Sequence, residues 1–191
     1  AEAAFQPHVL EVRGLRLAFL AFNAVPDGWG WDEGWARADW DPEWATAAVE
    51  AAHDRADGVV VSVHWGYEYQ TRVDPFQRDT AERLFQAGAD LVIGHHPHVV
   101  QAVQVDTDRC VAYSLGNFVF DQGQGETGQG LALRAIFDRR GLRAVQALPL
   151  WAGVCPRLMA LERAEVLART TIADGCVSKG RQTSFSCDEG A

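Results

Sequence analysis

The stretch that decides the fold is Val59-Val60-Val61-Ser62-Val63-His64, taken with Asp90-Leu91-Val92-Ile93-Gly94-His95-His96-Pro97-His98. Each is a short apolar run rich in branched residues, the pattern of a strand buried in a parallel sheet, and each stops at imidazole. Between them, Pro75 to Ala87 carries helix signals, with Phe76, Leu84 and Phe85 as apolar anchors and Gly88 as the stop. Strand, helix and strand in so short a span make a βαβ unit, so the two strands are expected to run parallel. Their carboxyl ends then point the same way, towards the edge where open α/β sheets bind ligands. His64, His96 and His98 are expected to converge there as candidate ligands for Zn, Mn or Fe. One histidine at a strand end, such as His64 alone, is more often a hydrogen-bonded structural residue. The pair His96 and His98 is what favours metal. Pro97 is expected to push His96 towards an extended backbone.

Working outward, Val9 to Val12 and Leu15 to Phe22 read as a hairpin around Arg13-Gly14. A long loop from Asn23 to Asp41 holds Trp29, Trp31, Trp35 and Trp40. These tryptophans either bind a sugar or polymer, or pack down to pin the loop. Asp41-Pro42-Glu43 signals a helix start, and the helix is expected to reach about Ala56 with Trp44, Ala48 and Ala52 on one face. Downstream, Val99 to Val105 and Cys110 to Ser114 read as strands. A Gly/Gln-rich loop (Gln122 to Gly130) leads to a hairpin of Leu131 to Phe137 with Leu142 to Leu150. Leu158 to Arg169 is weakly helical, and the tail from Asp174 is polar. Gly94 and Gly116 read as backbone-turn positions. The fold class is α/β: a mixed sheet with a βαβ unit, plus C-terminal antiparallel strands.

The 191 residues suit one ordinary domain, and 48% of them are hydrophobic, enough for a core. No apolar run approaches the length that spans a membrane, and the start lacks the basic and apolar regions of a signal peptide. A net charge of −9 disfavours sequence-independent nucleic-acid binding and electrostatic attachment to anionic lipid. The cysteines Cys110, Cys155, Cys176 and Cys187 form no CxxC pair, which argues against a zinc ribbon. Cys176 and Cys187 either staple the polar tail as a disulfide or remain free thiols, and Cys110 is expected to be buried.

Three blocks occur in order: His64-Trp65-Gly66-Tyr67-Glu68-Tyr69, then Gly88 to Gln101, then Tyr113-Ser114-Leu115-Gly116-Asn117-Phe118. Together they closely resemble the bacterial capsule-synthesis CapA family, also called poly-γ-glutamate biosynthesis proteins, over roughly residues 5 to 155. That family resembles the calcineurin-like metallophosphoesterases, which fold as a four-layer α/β sandwich with two metal ions. The resemblance implies that residues 1–155 form the second half of such a domain, and residues 156–191 an extension. It implies metal ligation by His64, His96 and His98, with two divalent ions (Mn, Zn or Fe) as cofactors. His95 ranks below its neighbours. Glu68 and Asn117, in motif blocks at the same edge, are implied catalytic candidates that contact substrate or orient ligands. His8 and His53 lie outside the pattern.

The family's first half should supply an Asp-containing motif, an Asn-Leu-Glu-like motif and an Asn-Asn-His-like motif, none of which occurs here. Three imidazoles without a bridging carboxylate leave a dinuclear site incomplete. A chain or fragment carrying the N-terminal half is therefore the expected partner, with an anionic polymer or phosphoester as substrate. Two function classes follow. One is a metal-dependent hydrolase of the cell envelope. The other is a non-catalytic scaffold for assembly, export or anchoring of a surface polymer or envelope complex. An extracellular or cell-envelope location follows from the resemblance. Arg72, Arg78 and Arg83 are the candidate basic residues for an anionic polymer.

Overall fold

The computed structural model describes residues 2–26, 37–159, 170–172, 176–178 and 184–187. In chain order the elements are β1 (His8–Val12), β2 (Leu15–Asn23), α1 (Pro42–His53), β3 (Gly58–His64), α2 (Pro75–Gln86), β4 (Leu91–His95), β5 (Val103–Asp106) and β6 (Arg109–Ala112). Then follow β7 (Gln129–Asp138), β8 (Gly141–Trp151), β9 (Arg157–Leu158), β10 (Thr170–Ile172), β11 (Cys176–Ser178) and β12 (Ser184–Cys187). The main sheet runs β1-β2-β3-β4-β6-β5-β10. Its centre, β2-β3-β4-β6, is parallel, while β1 and β5 pair antiparallel with β2 and β6. A second, antiparallel sheet runs β11-β12-β8-β7, with β9 on β8. The α/β class, the hairpin β1–β2, the βαβ unit β3-α2-β4 and the hairpin β7–β8 all form as the sequence predicts.

Strand alternation builds three layers. Val59, Val61 and Val63 of β3 face the core under the helices, together with Ala45, Val49, Ala52 and Leu84. Val60 faces the other way, into a core shared with Leu131, Leu142 and Val145 of the second sheet. A strand buried on both faces is apolar at most positions, which is why β3 reads as a valine run broken only by Ser62.

Both helices are capped as their sequences specify. The Asp41 carboxylate accepts from the backbone N–H groups of Glu43 and Trp44 at 2.9 and 3.0 Å. Asp74 and Gln77 form a reciprocal capping box at 2.9 and 3.0 Å. The buried face of α1 differs from expectation. It is Ala45, Val49 and Ala52, whereas Trp44 stays half exposed and packs at the rim against Phe5. Small side chains let the helix sit close on the sheet, and an indole does not fit in that gap. The helix also ends at His53, short of Ala56.

Asp90 ties the two sheets together. Its carboxylate accepts from Val59 N at 2.7 Å and from the backbone N–H of Leu142 in the second sheet. Burial raises its pKa, an effect those two backbone donors oppose. Cys110 is fully buried in β6, and burial pushes its thiol up to about 12.

Several expectations change. The strand expected from Val99 begins only at Val103, although Val100 keeps an isolated antiparallel bridge to Leu115, and Gln101 and Ala102 bond to the backbone of Ser114 and Tyr113. Leu158, expected to open a helix, lies in β9 paired with Leu150. Residues 160–169 of that expected helix lie outside the described residues, as do Trp29, Trp31 and Trp35. Trp40 packs edge-on against Phe22 and Phe76, as a pinning residue does. Gly94 is not a turn. It sits inside β4, where an added Cβ would lie 2.0 Å from the Tyr113 carbonyl oxygen and 2.3 Å from the Trp65 indole nitrogen. Gly116 is a turn position, at φ +68°.

The tail strands β11 and β12 pair so that Cys176 lies opposite Cys187. Directly opposed residues in an antiparallel pair have Cα atoms about 4.5 or 5.5 Å apart, and a disulfide needs roughly 4.4–6.8 Å. The backbone register therefore permits the staple, one of the two alternatives the sequence leaves open.

Two outcomes are expected. Gly94→Ala should cost about 3 kcal/mol or abolish folding, because the new methyl group collides with backbone that has no room to yield. Urea denaturation followed by Trp fluorescence measures it. Alkylation of the denatured, unreduced chain should modify two thiols by intact mass, Cys110 and Cys155. Modification of all four would show that the tail is not bridged.

Candidate histidine site

The site is built by register before any side chain is considered. In the parallel pairing, Asn23 lies beside His64, and His64 beside His95. Backbone hydrogen bonds then carry the alignment past the strand ends: Ala24 N to His64 O at 2.8 Å, Trp65 N to His95 O at 3.1 Å, and Tyr69 N to Pro97 O at 2.8 Å. As a result the loop after β3 lies directly on the loop after β4.

The structure brings the three predicted histidines together. The rings of His64 and His96 are 4.7 Å apart between centroids, and those of His96 and His98 are 6.2 Å apart. Glu68 sits in the same cluster, and its charge acts on His96. Asn117 meets His98, with Oδ1 2.8 Å from Nδ1. His95 ends β4 beside His64, where a charge on its ring opposes protonation of His64. His8 lies on the exposed edge strand β1, and His53 packs against Gly88 at the far end of the sheet.

Burial is the largest influence on three of these rings. It lowers the pKa of His64, His95 and His96. Neighbouring imidazoles lower His64 further, whereas Glu68 partly offsets the fall at His96. Neutral rings with free lone pairs result, the protonation state that a metal or a proton donor requires.

Sequence reasoning misses two residues that complete the surroundings of His98. Tyr69 stacks on its ring at 6.1 Å with 29° between planes, and Phe120 packs against it at 5.1 Å. The Tyr69 hydroxyl in turn accepts from Gln122 Nε2 at 3.2 Å. The available signal is the run Phe118-Val119-Phe120 at the mouth of a polar loop, three apolar residues that stay exposed. Beside His96, Val25, Pro26, Tyr67, Glu68 and Phe76 line an open cleft of about 280 Å³.

His96 departs from the extended backbone expected before Pro97. Its φ is +101°, and Tyr69 and His98 also have positive φ, at +63° and +59°. The proline clash excludes the right-handed helical region, and His96 leaves that region on the opposite side. All three residues are non-glycine, so each position is held against a steric cost.

The donor set tests the expected metal pair. Neutral imidazoles are suitable ligands, yet no three His, Cys, Asp or Glu side chains among the described residues come together closely enough to hold an ion. The described residues therefore do not complete a metal centre.

A family model described as bacterial capsule synthesis protein PGA_cap matches residues 1–122. The PGA biosynthesis protein CapA of Bacillus subtilis (strain 168) is 38% identical over 110 residues, covering 58% of this chain and 29% of that protein. The capsule biosynthesis protein CapA of Bacillus anthracis is 35% identical over 145 residues, covering 73% of this chain and 35% of that protein. The chain thus spans about a third of the length of these relatives. A crystal structure of a hypothetical protein from Thermus thermophilus shares the fold, with a TM-score of 0.52 at 17% identity over 76% of this chain and 62% of that one.

The depressed histidines set a pH dependence. Their folded pKa values lie below the ordinary 6.5, so the unfolded chain takes up protons first as pH falls. The stability they contribute is complete above pH 6.5 and is lost below it. Urea midpoints are expected to fall as the pH is lowered through that value, and the slope should flatten in the variant carrying Gln at positions 64, 95 and 96.

Proposed function

The chain belongs to the bacterial capsule synthesis PGA_cap family, and from that premise we propose that it forms the histidine-bearing part of a metal-dependent hydrolase of the cell envelope. Its substrate is a phosphoester or a capsular polymer such as poly-γ-glutamate. The observation that carries this reading is the gathering of His64, His96 and His98 at the carboxyl ends of two parallel strands, with His64 and His96 kept neutral. The missing carboxylate ligands come from polypeptide outside the described residues or from a partner carrying the N-terminal half of the domain. Two divalent ions (Mn, Zn or Fe) held there would supply Lewis acidity and an activated water. What the described residues contribute is the neutral imidazoles, and the rest of the centre lies beyond them.

That same incompleteness favours a second reading, a non-catalytic scaffold in assembly, export or anchoring of a surface polymer. No helix among the described residues is long and apolar enough to cross a membrane. With a net charge of −9, an anionic polymer needs either bridging cations or a local basic patch. Of the candidate basic residues, Arg78 reaches back to the Val73 carbonyl oxygen at 3.4 Å.

Calorimetric titration with Mn²⁺ and Zn²⁺, run on the chain with and without its N-terminal partner, separates the two readings. The hydrolase reading expects tight binding only with the partner. Substituting His64, His96 and His98 together by Ala should weaken it at least about 100-fold, since even outer-shell losses cost roughly 10–100-fold. Absence of metal binding by the assembled protein would leave the scaffold.

A further inference from the structure

We infer that Asn117 is a positioning residue that holds His98 as the tautomer protonated on Nδ1, so that Nε2 carries the lone pair of the ring.

Donor and acceptor chemistry along one chain of groups fixes the tautomer. Asn117 makes two side-chain contacts, to His98 Nδ1 at 2.8 Å and to the backbone carbonyl of Thr127 at 3.1 Å. A carbonyl oxygen has no proton to give, so the amide NH₂ must face Thr127. The amide oxygen then faces His98. An amide oxygen only accepts, so His98 Nδ1 must donate. In neutral imidazole that leaves Nε2 unprotonated. Flipping the amide would set two carbonyl oxygens against each other at Thr127, so the Thr127 carbonyl allows one orientation only.

The surroundings hold this arrangement. Asn117 is 6% exposed, so water does not compete well for its amide. Its backbone is placed by the turn at Gly116 and by the close passage of Gly130, where an added Cβ would lie 2.0 Å from the Asn117 carbonyl oxygen. Thr127 lies in a short 3-10 turn, Gly125–Gly128, and its hydroxyl donates to Gln124 O at 2.8 Å. Tyr69 and Phe120 pack on the His98 ring, which restricts its rotation away from Asn117. The Gly/Gln-rich loop is therefore joined to the histidine cluster twice, through Asn117 on Thr127 and through Gln122 on the Tyr69 hydroxyl.

A defined Nε2 lone pair matters at this edge because of the proposed function, and only in that respect does the tautomer rest on it. The test needs neither metal nor turnover, so its failure is distinct from failure of the metal titration. Long-range ¹H–¹⁵N correlation spectra of the histidine-labelled full chain, recorded above the ordinary histidine range, report the tautomer of each ring. The His98→Gln variant assigns the His98 signals. The expected result is a pyrrole-type Nδ1 and a pyridine-type Nε2 for His98. Asn117→Ala and Asn117→Ser, both too short to reach Nδ1, should each lose the single tautomer and give a mixture. A pyrrole-type Nε2 in the natural chain would overturn the inference. So would an Ala variant that folds and keeps the original tautomer, since Asn117 would then be structural only. If the Ala variant does not fold, the natural chain and the Ser variant decide.

Discussion

Everything at the histidine edge hangs on how closely β3, β4 and the end of β6 approach one another. Trp65, the residue after His64, is fully buried and donates its indole N–H to the Tyr113 carbonyl at 2.8 Å. That bond spans the position of Gly94, where no side chain would fit. The indole also stacks on the Tyr113 ring at 6.0 Å. A buried indole must find an acceptor, because an unpaired N–H there costs about 1–3 kcal/mol. The one it finds lies across the neighbouring strand. The first histidine block is thereby locked in depth and direction to the second block and to the segment leading to Asn117.

A second constraint fixes the loop that carries Glu68 and Tyr69. Gln77 and Gln101 are both fully buried, and their amides bond to each other at 2.8 Å. Gln77 also accepts from Asp74 N, and Gln101 donates to the carbonyls of Gln70 and Arg72 at 2.8 and 3.3 Å. Two buried amides would be a liability if unsatisfied. Here their remaining groups are satisfied by the loop backbone, so the loop cannot lift without leaving those amides unpaired. The start of α2 and the floor of the site are one hydrogen-bonded unit.

How much of this is legible in the sequence depends on how local the signal is. The valine run of β3, the Asp-Pro helix starts and the glycine-bounded hairpins are local, and they form as read. The convergence of His64, His96 and His98 is legible because a βαβ unit has only one sensible handedness and direction. The buried face of α1 is not, because Trp44, Ala48 and Ala52 fit helical spacing as well as Ala45, Val49 and Ala52 do. Clearance against the sheet decides between them, and clearance is a tertiary quantity. Gly94 illustrates the same limit, since a glycine kept for close approach looks identical in sequence to one kept for a turn. Tyr69 and Phe120 reach His98 from loops brought together only by the fold. The dinuclear metal centre is implied by resemblance alone, and the described residues supply imidazoles without the carboxylates that would complete it.

The backbone itself argues that this edge is organised for more than stability. Four non-glycine residues among those described have positive φ, and three of them, Tyr69, His96 and His98, are in the histidine cluster. The fourth, Arg13, sits in the β1–β2 hairpin turn, where such a conformation is ordinary. Each strained residue costs on the order of 1–3 kcal/mol and persists only where the surroundings over-determine it. As the pH falls, burial adds to the cost at His64 and His96, because it disfavours their charged forms. Apolar residues in relaxed conformations would make a more stable strand end at every one of these positions. Strain, neutral imidazoles and an open cleft at one sheet edge are features that packing alone does not select. Recognition of a ligand there, as proposed above, would give them a common cause.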